Sequence, residues 1–200
     1  MAITIDQIKT LREETGVGVL DCRKALEQAD GDFNKALEHL REKGLATAAK
    51  RADREATDGM LELYSHGNGR VGVMVEVNCE TDFVARSEAF RIFAHEIALQ
   101  IAAASPRYIR IEDVPQEVLE AERAKARLLA QDEGKPEAVT DRIIEGRLAK
   151  FYDENCLLRQ TYIRDEEITI EKLLLQKIAA IGENVIIRRF VRWELGEPDA

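Results

Sequence analysis

The sequence predicts an α+β fold in which a small helical module precedes a core of helices packed with a short antiparallel sheet. Three observations carry that prediction. Apolar residues recur at helical spacing three times within residues 1–44, Val71, Val73, Val75 and Val77 alternate with the period of a strand, and a second alternating stretch lies far away at 184–195.

Residues 1–44 read as three short helices forming a separate domain. Ile5, Ile8 and Leu11 make one apolar stripe, Leu20, Cys22, Ala25 and Leu26 a second, and Phe33, Ala36, Leu37 and Leu40 a third. The first helix closes at Thr15-Gly16, and the Gly16-Val17-Gly18 turn is too small-sided to be helical. Asp30-Gly31-Asp32 ends the second helix and leaves Asp32 to cap the third. A bundle of this kind with a glycine-rich first loop resembles the ubiquitin-associated type of three-helix domain, which makes it a docking module too small to enclose a reaction cleft. Residues 45–58 read as an alanine-rich linker. Between Arg41 and Arg54 five bases face two acids, which reads as a solvated helix surface; a target for such a stripe would be an acidic protein surface.

Residues 59–200 form the expected α+β core. Met60 to Tyr64 alternates, His66-Gly67-Asn68-Gly69 supplies turn residues that tolerate positive φ, and the valine strand returns, so the segment is a β-hairpin. The third strand is the distant one. There Val185, Ile187, Val191 and Trp193 share one face, Ile186 and Phe190 lie on the other among Arg188, Arg192 and Glu194, and Arg189 breaks the apolar row. Helices are expected at 87–104, 115–133, 136–153 and 170–181, with Pro115 and Pro136 in first turns and Gly182 as a terminator. Mixed charge along 117–132 and 141–150 suggests that the two middle helices form a protruding hairpin.

Composition narrows the function. Of 200 residues 45% are apolar, and 38 acids against 29 bases give a net charge of −9, which repels a phosphate backbone and disfavours direct nucleic-acid binding. The first residues lack a basic region followed by an apolar block, and no run approaches the ~18 apolar residues of a membrane span, so the chain reads as cytoplasmic. Cys22, Cys79 and Cys156 are far apart in apolar patterns and read as reduced, buried thiols.

Fragments that imitate catalytic motifs fail on spacing. His95-Glu96 has Leu99 where a zinc-protease helix needs its second histidine. Gly134-Lys135 has Leu129 and Pro136 at positions a phosphate loop cannot spare, and Gly16-Val17-Gly18 lacks both a third glycine and a leading strand. His39, His66 and His95 fall on separate elements with no convergent nucleophile. No catalytic residue, metal or cofactor is expected.

The most informative stretch is 71–86, where the valine strand runs into a polar corner carrying one large aromatic. From the residues alone, Asp82 is either the cap of the following helix or a partner of Glu80 on one strand face. Phe83 is either a core residue plugging the join of sheet and helix or an exposed side chain. Polar neighbours on both sides argue for exposure, and Phe90 and Phe93 already supply aromatics to the core.

Residues 76–86, Glu-Val-Asn-Cys-Glu-Thr-Asp-Phe-Val-Ala-Arg, are similar to the most specific signature of the elongation factor Ts family. Residues 11–18 and 21–26 resemble its N-terminal signature, and Gly134-Lys135-Pro136, 145–148 and 181–189 add further matches in the family's order. One core subdomain in place of two marks the chain as similar to the short form. The resemblance implies a guanine nucleotide exchange factor for elongation factor Tu in translation elongation, with no bond made or broken. It implies that Thr81, Asp82, Phe83 and Val84 push into the GTPase beside its Mg²⁺ site, Phe83 as an apolar wedge and Asp82 disturbing the metal. The surface around Leu11, Arg12, Val17 and Gly18 would grip the GTPase from another side, and the short form is expected to pair with itself, which makes the α+β core of 59–200 the dimerisation domain as well. An adaptor using only residues 1–44, a small transferase or hydrolase, and an RNA-binding α+β domain are the competing readings; Arg188, Arg192 and Trp193 are the only hint of the last.

Overall fold

The computed structural model describes residues 3–132, 134 and 136–197, with the backbone alone described at 45, 49, 137 and 138. The chain divides into two compact units, one of Met1–Glu62, Val75–Glu96 and Lys172–Arg188, the other of Leu63–Met74, Ile97–Glu171 and Arg189–Ala200. Strands β1 (Asp58–His66), β2 (Val71–Cys79) and β5 (Val185–Glu194) make one antiparallel sheet in the order β1-β2-β5, and β3 (Thr161–Tyr162) pairs with β4 (Asp165–Thr169) in a second. The α+β class is as the sequence predicts.

The first unit begins with α1 (Ile5–Thr15), α2 (Val19–Gln28) and α3 (Phe33–Ala49). Thr4 caps α1 in a reciprocal box with Gln7, Gly16 closes it in the left-handed conformation, and Asp32 caps α3 through the backbone N–H of Lys35. Leu11, Cys22, Ala25, Leu26, Ala36 and Leu40 form the small core, with Ile8, Phe33 and Leu37 packed at its edge. Two residues assigned to the apolar stripes lie outside it. Ile5 is 83% exposed, because steps of three residues drift by ~60° each and two steps carry the row off the face. Leu20 is 74% exposed, because it sits two positions, a ~200° turn, from Cys22.

Gly44 does not end α3. The helix continues to Ala49, and the glycine serves close approach instead: a Cβ there would stand 3.1 Å from the Cβ of Ala179 on α8 (Ile170–Ile181). Arg51 donates to the carbonyl of Ile178 across the same seam (3.3 Å). The unit also buries Val75, Val77, Phe90, Phe93, Ala94, Ile178, Val185 and Ile187, from β2, α5 (Glu88–Ala104), α8 and β5.

In the second unit α6 (Gln116–Asp132) and α7 (Glu137–Asn155) pack on one another through Ala126, Ile144 and Leu148, with Leu119 and Tyr152 alongside. This is the expected helical hairpin. Gly134 and Pro136 lie at its turn, Pro136 as the residue before α7; Lys135 lies outside the described residues. Gln100, fully buried, is satisfied by Gln160, the carbonyl of Thr161 and the N–H of Ile163, so a polar knot ties α5 to the β3–β4 ribbon. No periodicity predicts that ribbon, since two residues and a run of Asp-Glu-Glu carry no apolar alternation.

Strand β5 departs from its expected pattern. Val185 and Ile187 are buried, but Val191 and Trp193 are 43% and 77% exposed, and Arg192 instead is nearly buried, donating to the carbonyl of Ala102 and pairing with Glu194 and Glu197. The in-out alternation therefore changes parity between Ile187 and Arg192, around the break that Arg189 makes in the apolar row.

Candidate functional site: the corner after the valine strand

Strand β2 buries Val73, Val75 and Val77 on one face and ends at Cys79. Three residues later the chain enters a single helical turn, α4 (Asp82–Ala85). Thr81, extended at φ −131° and ψ 152°, is its N-cap, accepting from the backbone N–H of Val84 at 3.4 Å. The cap is thus Thr81 and not Asp82, which begins the helix, since a cap must keep extended dihedrals while its side-chain oxygen turns back. Asp82 points to solvent and pairs with Arg86, Nη2 to Oδ2 2.8 Å.

The four residues divide by one turn of helix. Val84 and Ala85 face inward and are 8% and 9% exposed, while Phe83 is 81% exposed. Of the two placements open to Phe83, the structure takes the exposed one. Phe90 and Phe93, on α5, supply aromatics to the core and are both fully buried. An apolar ring held in water at the tip of a polar turn has no folding role of its own.

What holds the corner comes from the α8–β5 junction. The carboxylate of Glu183 accepts three hydrogen bonds: from the N–H of Glu80 (3.1 Å), the N–H of Thr81 (3.0 Å) and the hydroxyl of Thr81 (2.7 Å). In return the N–H of Asn184 donates to Glu80 Oε1 at 2.6 Å, and the buried Asn184 amide donates to the carbonyls of Ala52 and Arg54. Glu80 and Asp82 therefore do not share a face; Glu80 turns inward to Asn184 and Arg54, Asp82 outward. Beneath the corner Cys79 donates to the carbonyl of Thr81 (3.2 Å), and burial, then the nearby Glu183 carboxylate, push its thiol up to about 11. Glu183 and Asn184 stand in a stretch the sequence marks as a signature, but a helix terminator followed by a strand gave no sign that its carboxylate reaches residues about a hundred positions earlier.

At the N-terminal module Arg12 and Gly18 are exposed, Val17 is half-buried and Leu11 is fully buried in the small core. Leu11 can shape this surface only from below. The exposed apolar groups beside it are Val19, outside the apolar stripes, and Leu20, which the second stripe places inward, at 50% and 74%.

Elsewhere the candidate chemistry is dispersed. His66 meets Tyr64 and His95 meets Glu62, both by hydrogen bonds, while His39 is exposed on α3. Among the described residues no group of three or more His, Cys, Asp and Glu could hold a metal ion. Arg188 is taken up by Asn78, Glu76 and the carbonyl of Ala56, so neither it nor Arg192 offers a free basic strand to a phosphate backbone. Among the described residues no helix is long and apolar enough to cross a membrane.

The family model described as elongation factor Ts matches residues 25–197. The chain is 60% identical over 195 residues to the elongation factor Ts of Caldanaerobacter subterraneus subsp. tengcongensis, covering 98% of both chains. It is 59% identical over 195 residues to that of Carboxydothermus hydrogenoformans, covering 98% of this chain and 90% of the relative. Against the elongation factor Ts of Coprothermobacter proteolyticus it is 52% identical over 197 residues, covering 98% and 100%. A match along nearly the full length of both partners takes in the helical module, the corner and the last strand together, and the chain belongs to the elongation factor Ts family of translation elongation factors.

Proposed function

We propose that this protein is the guanine nucleotide exchange factor for elongation factor Tu, and that it works as a binding protein in the cytoplasm, making and breaking no bond. The observation that carries the reading is Phe83, held 81% exposed on a one-turn helix whose Val84 and Ala85 face inward. Thr81, Asp82, Phe83 and Val84 form the edge that enters the GTPase. Phe83 fills an apolar pocket there, Val84 braces the turn from within, and Asp82 brings a negative charge against the partner's Mg²⁺ environment. Residues 1–44 dock on a second surface through Arg12, Val17, Gly18 and the adjoining Val19 and Leu20, with Leu11 supporting them from the core, and residues 45–58 connect this module to the core of 59–200.

Energetics fit a wedge. Binding that weakens nucleotide affinity by some factor must itself be weakened by nucleotide by the same factor, so GTP displaces the exchanger and it acts again. A hot-spot aromatic worth ~2–4 kcal/mol would supply roughly two orders of magnitude in GDP release.

Self-pairing is supported by a separate feature. Leu63, Met74, Val191 and Trp193 line an apolar groove on the sheet, with Trp193 77% exposed. Covering this strip with the same strip of a second copy is an isologous contact that removes it from water.

The test is release of a fluorescent GDP analogue from elongation factor Tu in excess GDP, with and without the protein. Acceleration that is lost in Phe83→Ala supports the reading; a wild-type protein that leaves the release rate unchanged refutes it.

A further inference from the structure

We propose that Glu183 is the positioning residue of the exchange corner. The proposal rests on the exchange reading and assigns, from the hydrogen-bond geometry, what keeps Phe83 presented. A side chain 81% exposed has little packing of its own to hold it. Its helix is too short to hold itself, with α4 only four residues long. Its orientation is therefore inherited from the inward-facing Val84 and Ala85 after it and from the residues before it, and the latter are fixed by one carboxylate.

Glu183 takes up the two N–H groups at the end of β2, on Glu80 and Thr81, through one oxygen, and the Thr81 hydroxyl through the other. The hydroxyl has a single proton. Directed at Glu183 Oε1, it leaves the lone pairs of Thr81 Oγ1 free to accept from Val84 N–H, so the carboxylate also sets the cap that starts α4. The reverse bond from Asn184 N–H to Glu80 closes the junction from the other side. Glu183 has no need to touch the GTPase; it prepays the ordering that the wedge would otherwise lose when, after the docking surfaces have engaged, it inserts to release GDP, so its loss falls on the saturating rate.

The experiment is GDP release from elongation factor Tu as a function of exchanger concentration, for the full-length wild type, Glu183→Ala and Glu183→Gln, with amide hydrogen exchange at Glu80 and Thr81. Glu183→Ala should keep the fold and a half-saturation concentration within about twofold, since the docking surfaces are untouched, while the saturating rate falls about tenfold. Its Glu80 and Thr81 amides should lose protection. Glu183→Gln, whose amide oxygen still accepts from both N–H groups, should keep most of the rate and the protection. If Glu183→Ala fails to fold, Glu183→Asp, which withdraws the carboxylate by one methylene, takes its place with the same expected loss. A folded variant with an unchanged saturating rate, or one impaired only in half-saturation, overturns the positioning role while leaving exchange standing. A wild type that gives no acceleration overturns both.

Discussion

Asp82 and Arg86 face one another across one turn on the exposed side of the corner, Nη2 to Oδ2 2.8 Å, both side chains more than half exposed. An exposed i, i+4 pair stabilises a fold by only ~0.3–0.5 kcal/mol, because solvent screens the attraction and two long side chains lose freedom. Its position beside Phe83 points to recognition. Arg86→Ala is expected to leave the urea-unfolding free energy within about 0.5 kcal/mol of wild type. Asp82→Asn should be as stable but slow the catalysed release of GDP by about tenfold, the size of one lost charged contact. Equal release by Asp82→Asn and wild type would remove Asp82 from the mechanism.

Phe83 and Phe93 make a controlled comparison, since the same substitution is applied at 81% and 0% exposure. Phe93→Ala empties a core position and should cost about 3–5 kcal/mol, visible as a large drop in the melting temperature. Phe83→Ala should change stability by less than about 0.5 kcal/mol while exchange falls by about a hundredfold. A Phe83→Ala protein that melts as early as Phe93→Ala would show that the ring supports the fold.

The three cysteines are free and fully buried, with Cys79 and Cys156 pushed by burial from 9.0 up to about 11 and Cys22 raised by the same cause. A maleimide at pH 8 should label none of them in the folded protein within minutes and all three in denaturant, since burial shields all three thiols and, at the pKa of about 11 of Cys79 and Cys156, only about one in a thousand is thiolate there. A raised thiol pKa favours the neutral folded form. The contribution is intact below pH 9 and is lost as pH rises through 9 to 11, so the urea midpoint should fall across that window.

Trp193→Asp tests self-pairing. Sedimentation velocity is expected to show a dimer for the wild type and a monomer for the variant, with the far-ultraviolet circular dichroism of both the same, because the ring is exposed within one copy. A wild-type monomer at the same concentration would leave the apolar strip to another partner.

Much of this protein was legible because its elements carry strong local signals. The alternation of Val71 to Val77 allows only a strand with one buried face, and Gly16, Asp32, Pro136 and Gly182 end or start helices whatever surrounds them. The four-residue corner was legible as a motif. Which way its aromatic points was not, since a phenylalanine after a strand satisfies a core as readily as a surface.

Tertiary structure decided what depends on distant neighbours. Gly44, at the expected end of the helical module, is a point of contact inside α3, because Ala179, 135 positions later, comes within reach of where its Cβ would be. Val191 and Trp193 fit an inward row by alternation, yet the parity of β5 changes and Arg192 takes the covered side. The bonds from Glu80 and Thr81 to Glu183 join positions 102 and 103 apart, and no periodicity or turn chemistry spans that distance. Local sequence sets the dihedral preferences and apolar faces of each element; only packing brings a carboxylate to the backbone N–H groups that need it, and so settles which exposed residue the fold holds out for use.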